Sequence, residues 1–220
     1  MAQQQYAVIG LGAFGASMFE NLRQMEHEVL GIDEDGDIIQ DLSSEMPDAH
    51  LVSADATEHG ALRDLGVERF DGAVVATGSL EANILLTQIL KDLGVPTVMA
   101  RAQNPLHARI LESLGADHVV QPEKEFGALA ARRLTYPGTM DYLELGEDEA
   151  VVEVEVPEEW VGKSISELHL YRQSGLTVLA HKSAGRKGSI PKGDESLQEE
   201  DVLVVGGSKE DIDKSDLFQR

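Results

Sequence analysis

The stretch Tyr6–Leu22, YAVIGLGAFGASMFENL, carries Gly10, Gly12 and Gly15 at G-x-G-x-x-G spacing. Such glycines let a chain turn tightly out of a strand, bring its backbone close to phosphates and start a helix packed against that strand. The helix start adds free N–H groups and a partial positive charge, so the chemistry on offer is anion binding. Asp33 lies 23 residues after Gly10, with Glu34 next to it. An acid at Asp33 accepts hydrogen bonds from ribose hydroxyls and repels a 2′-phosphate, which disfavours NADP. In SADAT (Ser53–Thr57), Asp55 and Thr57 can read an adenine edge or cap a helix. In VVATGS (Val74–Ser79), the small residues let a ring or ribose lie against the backbone. Arg101 would aim a fixed positive charge at the phosphate region, or form a structural salt bridge.

Hydride transfer would need an acid or base beside the nicotinamide. The seven histidines are His27, His50, His59, His107, His118, His169 and His181. None has metal-ligand spacing, and none shares a motif with a carboxylate. His107, in the first turn of a predicted helix, is the strongest of them, and a surface or helix-end role is its plainer reading. There is no P-loop lysine and no Ser/His/Asp order resembling a triad. The absence of cysteine removes thiolate nucleophiles and disulfides and suits a reducing cytoplasm. The residues point to a binding site rather than an enzyme, with a small NAD-dependent oxidoreductase as the alternative.

Six short apolar runs must position these loops: Tyr6–Ile9, Glu28–Ile32, His50–Ser53, Gly72–Ala76, Thr97–Arg101 and His118–Val120. They mostly lack period-two alternation, as expected of strands buried on both faces. Between them run helical stretches at Ala13–Met25, Ile38–Glu45, Glu58–Leu65, Ser79–Leu93 and Pro105–Leu114, and a further helix is read at Phe126–Leu134. The rhythm predicts an α/β domain, a Rossmann-like doubly wound parallel sheet, over residues 1–135. After Tyr136-Pro137-Gly138 the pattern changes. AVVEVEVP (Ala150–Pro157) alternates like a half-exposed strand, and LTVLAHK and DVLVVGG read as further strands. Helices are expected at Ser164–His169, with Ser164 and Glu167 as a capping box, and at Ser208–Lys214. Residues 136–220 thus read as a small α+β subdomain.

The formal net charge is −22, from 40 acids against 18 Lys and Arg. That disfavours direct binding to nucleic acid or to an anionic membrane surface, both of which need a basic face. High solubility accounts for the charge, with a salt-rich host as the alternative. No apolar run approaches the roughly 20 residues of a membrane span, and MAQQQ does not read as a secretory signal.

Longer stretches carry a family resemblance: YAVIGLGAFG, HEVLGIDED, ADATE, LGVERFDGAVVATGS, ARAQNPLHARILESLGADHVVQPEKEFG and DYLEL. They resemble the RCK (KTN, or TrkA-N) domains that regulate potassium channels and transporters, and LGADHVVQPEKEFG is far more diagnostic than the glycines. VPEEWVGKSISEL, GLTVLAHK and IPKGDESLQEEDVLVVGG look like the RCK C-terminal (TrkA-C) subdomain. The resemblance implies a non-enzymatic regulatory subunit on the cytoplasmic face of the cell membrane. It would be a homodimer assembling into an octameric ring beneath a membrane-embedded potassium translocating subunit of KtrB or TrkH type. The alternative is service to another cation channel or antiporter.

The resemblance also implies the ligands. In the Ktr branch, ATP favours the active ring and ADP the resting one, while NAD(H) binds some relatives. Carried over by residue, Gly10, Leu11, Gly12, Ala13, Phe14 and Gly15 form the phosphate loop. Asp33 takes the ribose role, with Glu34 beside it among the cofactor-binding residues, Asp55, Ala56 and Thr57 take the adenine side, Thr77 and Gly78 line the pocket, and Arg101 reaches the phosphates. Glu123 would hold a Mg²⁺, Ca²⁺ or Na⁺ ion shared across the dimer, or act as a first-turn helix acid. Many relatives have Arg where this chain has Ala13, and the change removes a charged contact to phosphate. Some relatives bind cyclic di-AMP in the second subdomain. Their usual arginine matches Tyr171, with Arg172 one position later, and Pro191 keeps its place.

Overall fold

Val8 and Ile9, like Val74 and Val75, are neighbours in sequence that bury their side chains in opposite layers. Val8 and Val74 join a core with Phe19 and Leu11. Ile9 and Val75 join a second core with Leu86, Leu90 and Leu111. Strands with two buried faces need helices on both sides, and a parallel sheet supplies them through its crossovers. The computed structural model describes residues 3–58, 60–135, 139–146, 148–183 and 188–215.

The first sheet contains β1 (Gln5–Ile9), β2 (Glu28–Asp33), β3 (His50–Ser53), β4 (Gly72–Val75), β5 (Thr97–Arg101) and β6 (His118–Val120). Its order is β3-β2-β1-β4-β5-β6, and every pairing is parallel. The strand order reverses between β1 and β4. A crevice opens at such a reversal, outside the carboxyl ends of the strands. The connecting helices are α1 (Ala13–Gln24), α2 (Gly36–Glu45), α3 (Ala61–Asp64), α4 (Leu80–Asp92) and α5 (Pro105–Ser113), and α6 (Pro122–Thr135) follows β6. The Rossmann-like α/β sheet expected from the sequence is therefore present. Two helices differ from expectation. The stretch read as Glu58–Leu65 is helical only over α3, and α6 begins four residues before Phe126, at Pro122. Proline suits a first helical position, where its missing N–H has no partner to lose.

The second sheet is antiparallel, in the order β7-β8-β10-β9. It comprises β7 (Thr139–Glu144), β8 (Glu149–Glu155), β9 (Thr177–Lys182) and β10 (Val202–Ser208), with α7 (Leu170–Ser174) and α8 (Lys209–Lys214). Along β8, Ala150, Val152 and Val154 are buried with Trp160, Leu176, Leu197, Leu203 and Ile212. The acids alternating with them point outward, as the period-two pattern requires. Strand β7 was not among the sequence expectations. The helix expected at Ser164–His169 is a correction. The capping-box bonds form, from Ser164 N to Glu167 Oε2 at 2.7 Å and from Glu167 N to Ser164 Oγ at 3.3 Å. They close a turn, because Ser164 is held in a β-bridge to Ser196. The helix starts only at Leu170. By contacts the chain divides into Met1–Lys124 and Glu125–Arg220. This division falls inside α6, three residues from its start, and the sequence boundary at 135/136 falls at its end.

Candidate functional site

The glycine loop between β1 and α1 uses its three glycines differently. Gly10 has φ +88°, and a Cβ there would stand 2.7 Å from the Thr77 backbone nitrogen. A Cβ on Gly15 would stand 1.8 Å from the Gly10 carbonyl oxygen. Both glycines are demanded by the protein's own packing. Gly12 is not. It caps α1 at φ −62°, ψ −175°, a conformation open to any residue, and a Cβ there would meet nothing within 4 Å. Gly12 is exposed, and the space beside it is open. The N-terminus of α1 has no side-chain cap and no acid in its first turn, so its N–H groups and dipole remain available to an anion.

Leu11 does not join the phosphate loop in the expected way. Its N–H donates to Asp33 Oδ2 at 2.6 Å, and its side chain is buried in the core beside Phe19. Asp33 Oδ1 accepts from Asp35 N at 2.9 Å. Two backbone donors thus hold Asp33 at the end of β2, and each oxygen keeps a lone pair for a ribose hydroxyl. Asp35 in turn caps α2 by accepting from Asp37 N at 2.9 Å.

The crevice is a cavity of about 480 Å³ whose wall includes Gly10, Gly12, Asp33, Glu34, Asp55, Ala56, Thr57, Thr77, Gly78 and Arg101. The structure thus brings together most of the residues expected there. Leu11, Ala13, Phe14, Gly15 and Glu123 do not line it. Gly15 shapes it from behind, Phe14 packs against the α1 core, and Ala13 is exposed in the first turn of α1. Ser79, the last residue of the VVATGS stretch, lines it too, and Asp35 is an addition that the sequence did not suggest. Asp55 Oδ1 accepts from Thr57 N at 2.8 Å and Thr57 Oγ1 at 2.6 Å. The Thr57 hydroxyl, and then its N–H, hold the Asp55 carboxyl below the usual carboxylate range. These bonds close a turn within the cleft wall and cap no helix, because α3 starts only at Ala61 with Gly60 as its N-cap.

Arg101 ends β5 in the same cavity. Its guanidinium pairs with Glu123, in the first turn of α6, while its Nε is buried without a hydrogen-bond partner. A buried donor left unpaired costs about 1–3 kcal/mol. Glu123's own backbone N–H, and then Arg101, hold its carboxyl below the usual range. Arg101 thus forms the structural salt bridge and stands in the cavity wall. For a cation at Glu123 the fit within one chain is poor. Among the described residues no three His, Cys, Asp or Glu gather into a metal site, and hard cations need several oxygen ligands.

Among the described residues no histidine lines this cavity. His107 is not a surface group. It is fully buried in α5, its Nδ1 accepts from Gln103 N at 3.2 Å, and burial pushes its pKa down. His27 stacks edge-on against Tyr6, with ring centroids 5.2 Å apart. His181 is buried in the second unit between Asp201, at 2.8 Å, and Glu195, at 3.3 Å. His59 lies outside the described residues. In the second unit, Tyr171, Arg172 and Pro191 line one depression of about 600 Å³, so the structure gathers the residues singled out for cyclic di-AMP.

Residues 6–122 match the TrkA-N domain and residues 151–218 the TrkA-C domain. The chain belongs to the TrkA-N/TrkA-C family. It is 36% identical over 210 residues to Ktr system potassium uptake protein A of Bacillus subtilis (strain 168), covering 95% of this chain and 94% of that one. Over 210 residues it is 30% identical to the protein of the same name from Vibrio alginolyticus, covering 95% and 94%. Among solved structures, the GsuK channel bound to NAD has the same fold, with TM-score 0.66 and 20% identity over 96% of this chain and 38% of that one. GsuK bound to ADP aligns at TM-score 0.52 and 26% identity over 60% of this chain and 34% of that one. The chain spans well under half of the GsuK chains. The RCK resemblance read from the sequence therefore holds for both segments of this TrkA-N/TrkA-C protein. Among its described residues no helix is long and apolar enough to cross a membrane.

Proposed function

We propose that this TrkA-N/TrkA-C protein is a nucleotide-sensing regulatory subunit of a membrane potassium uptake system, and not an enzyme. The observation that carries the reading is the open space at Gly12, facing a cleft with an uncapped helix N-terminus and Arg101 in its wall. A phosphate chain would fill that space and accept from the helix N–H groups. Asp33 and Asp55 suit the ribose and base. The names of the Bacillus and Vibrio relatives support the potassium role.

The ligand is an adenine nucleotide. ADP is supported by the GsuK relative bound to it. Ala13 adds no charge to hold a γ-phosphate, so ATP relies on the α1 N-terminus and Arg101 alone, and NAD(H) competes for the same cleft. A cation at Glu123 would need Arg101 to release that carboxylate and a second copy to add oxygens. The depression at Tyr171, Arg172 and Pro191 is the site we assign to cyclic di-AMP.

Copies of the chain form dimers and then an octameric ring on the cytosolic side of a KtrB- or TrkH-like translocating subunit. Nucleotide acts by binding two ring shapes with different affinity, since a ligand that binds both equally shifts nothing. Two measurements test the proposal. Calorimetry with ATP, ADP, NADH and cyclic di-AMP, with and without Mg²⁺, should show an adenine nucleotide binding the first unit. Potassium uptake by the reconstituted translocator should then depend on both this protein and that nucleotide. Uptake indifferent to both would sink the regulatory role. Turnover of a carbonyl substrate with NADH would restore the oxidoreductase reading.

A further inference from the structure

Asn83 lies on α4 and is fully buried. Its side chain makes three hydrogen bonds, all to the wall of the cleft. Its Oδ1 accepts from Thr77 Oγ1 at 2.6 Å. Its Nδ2 donates to Thr77 O at 3.3 Å and to Arg101 O at 2.9 Å. One buried amide therefore ties the end of β4 to the end of β5. Gln103 adds a bond on the exposed side, from its Nε2 to Gly78 O at 2.6 Å.

The segments held this way stand at one end of the cleft. Thr77 lies against Gly10, whose missing Cβ would touch its nitrogen, and Arg101 carries the positive charge. This is the phosphate end. The ribose and base end is built separately, with Asp33 held by Leu11 and Asp35 and with Asp55 held by Thr57. No bond of Asn83 reaches that end.

We propose that Asn83 is a positioning residue for the phosphate half of the nucleotide site, fixing Thr77 and Arg101 in the places from which they meet the phosphates, with Gln103 supporting Gly78. This rests on the nucleotide reading above. The amide suits the task because it donates and accepts at once. Its bonds to backbone carbonyls fix main chain, and through it the origin of the Arg101 side chain. A buried polar group with every bond satisfied fixes one arrangement of its neighbours.

The test is calorimetry with adenosine, ADP and ATP on the wild type, Asn83→Ala and Gln103→Ala in the full-length protein. Asn83→Ala should weaken ADP and ATP by about tenfold, the loss of one charge-assisted contact to phosphate. Adenosine should change by less than about twofold. Gln103→Ala, at an exposed position that cannot unfold the core, should weaken ADP and ATP by about threefold and spare adenosine. If Asn83→Ala does not fold, Gln103→Ala decides alone. Equal losses for all three ligands, or no loss for any, overturn the positioning role while the nucleotide reading stands. A wild type that binds none of the three overturns both.

Discussion

Gly12→Asp should make the protein more stable and abolish nucleotide binding, two effects of opposite sign from one side chain. Gly12 is the N-cap of α1 and already has extended backbone angles. Aspartate is among the best N-cap residues and glycine is a few tenths of a kcal/mol worse. Replacing glycine where φ is ordinary adds about 0.4–1 kcal/mol by restricting the unfolded chain. A negative charge at a helix N-terminus adds about 0.3–1 kcal/mol more. No atom lies within 4 Å of the new Cβ, so no clash subtracts from this. Repulsion from the neighbouring Asp33 and Glu34 does subtract. The net gain should be about 0.5–1.5 kcal/mol, read as a higher urea midpoint at unchanged slope. The same carboxylate fills the space left for phosphate and repels it, so ADP binding by calorimetry should vanish. A destabilised variant would show that the space is not open. A stable variant that binds ADP with unchanged affinity would remove the phosphate role of the loop.

Gly15→Ala should do the reverse in stability. A methyl group 1.8 Å from the Gly10 carbonyl oxygen forces the backbone apart and should cost about 1–3 kcal/mol or more, and a unit that unfolds at the wild-type midpoint would contradict the packing. Glu123→Gln should weaken the divalent-ion dependence of ATP binding and leave ADP nearly untouched, whereas equal changes would mark Glu123 as Arg101's partner and nothing more. His181→Gln should cost about 3–5 kcal/mol near pH 6, because it strips Asp201, itself buried, of its charged partner. Burial alone would lower the His181 pKa, but Asp201 and then Glu195 raise it above its ordinary value. Its contribution is therefore complete below the unfolded value of about 6.5 and is lost as pH climbs through the raised folded value. His107, pushed down by burial, titrates with the opposite effect, so the wild-type-minus-variant difference is the quantity to follow. A difference that grows from pH 6 to pH 9 would refute the pairing.

The sheet and the cleft were legible because their signals are local. Val8, Ile9, Val74 and Val75 lie in strands whose unbroken apolar runs announce burial on both faces, and strand endings then decide which loops share the crevice. Asp33, Asp55, Thr77 and Arg101 all follow from that rule. The misreadings share a different cause. Ser164 and Glu167 form the bonds of a capping box, yet a β-bridge to Ser196, far along the chain, overrides the helix they normally begin. His107 reads as a surface residue because a histidine near a helix start usually is one, and its burial depends on how α4 and α5 pack. Leu11 reads as a phosphate donor because the motif says nothing about whether its N–H is already taken by Asp33. Asn83 was the hardest to see. Two of its three bonds go to backbone carbonyls, which every residue type carries, so the identities of its partners leave no trace of them. Residues that meet a ligand directly are chosen for their chemistry and can be read from type and spacing. Residues that hold those in place are chosen for geometry, and only the folded chain displays it.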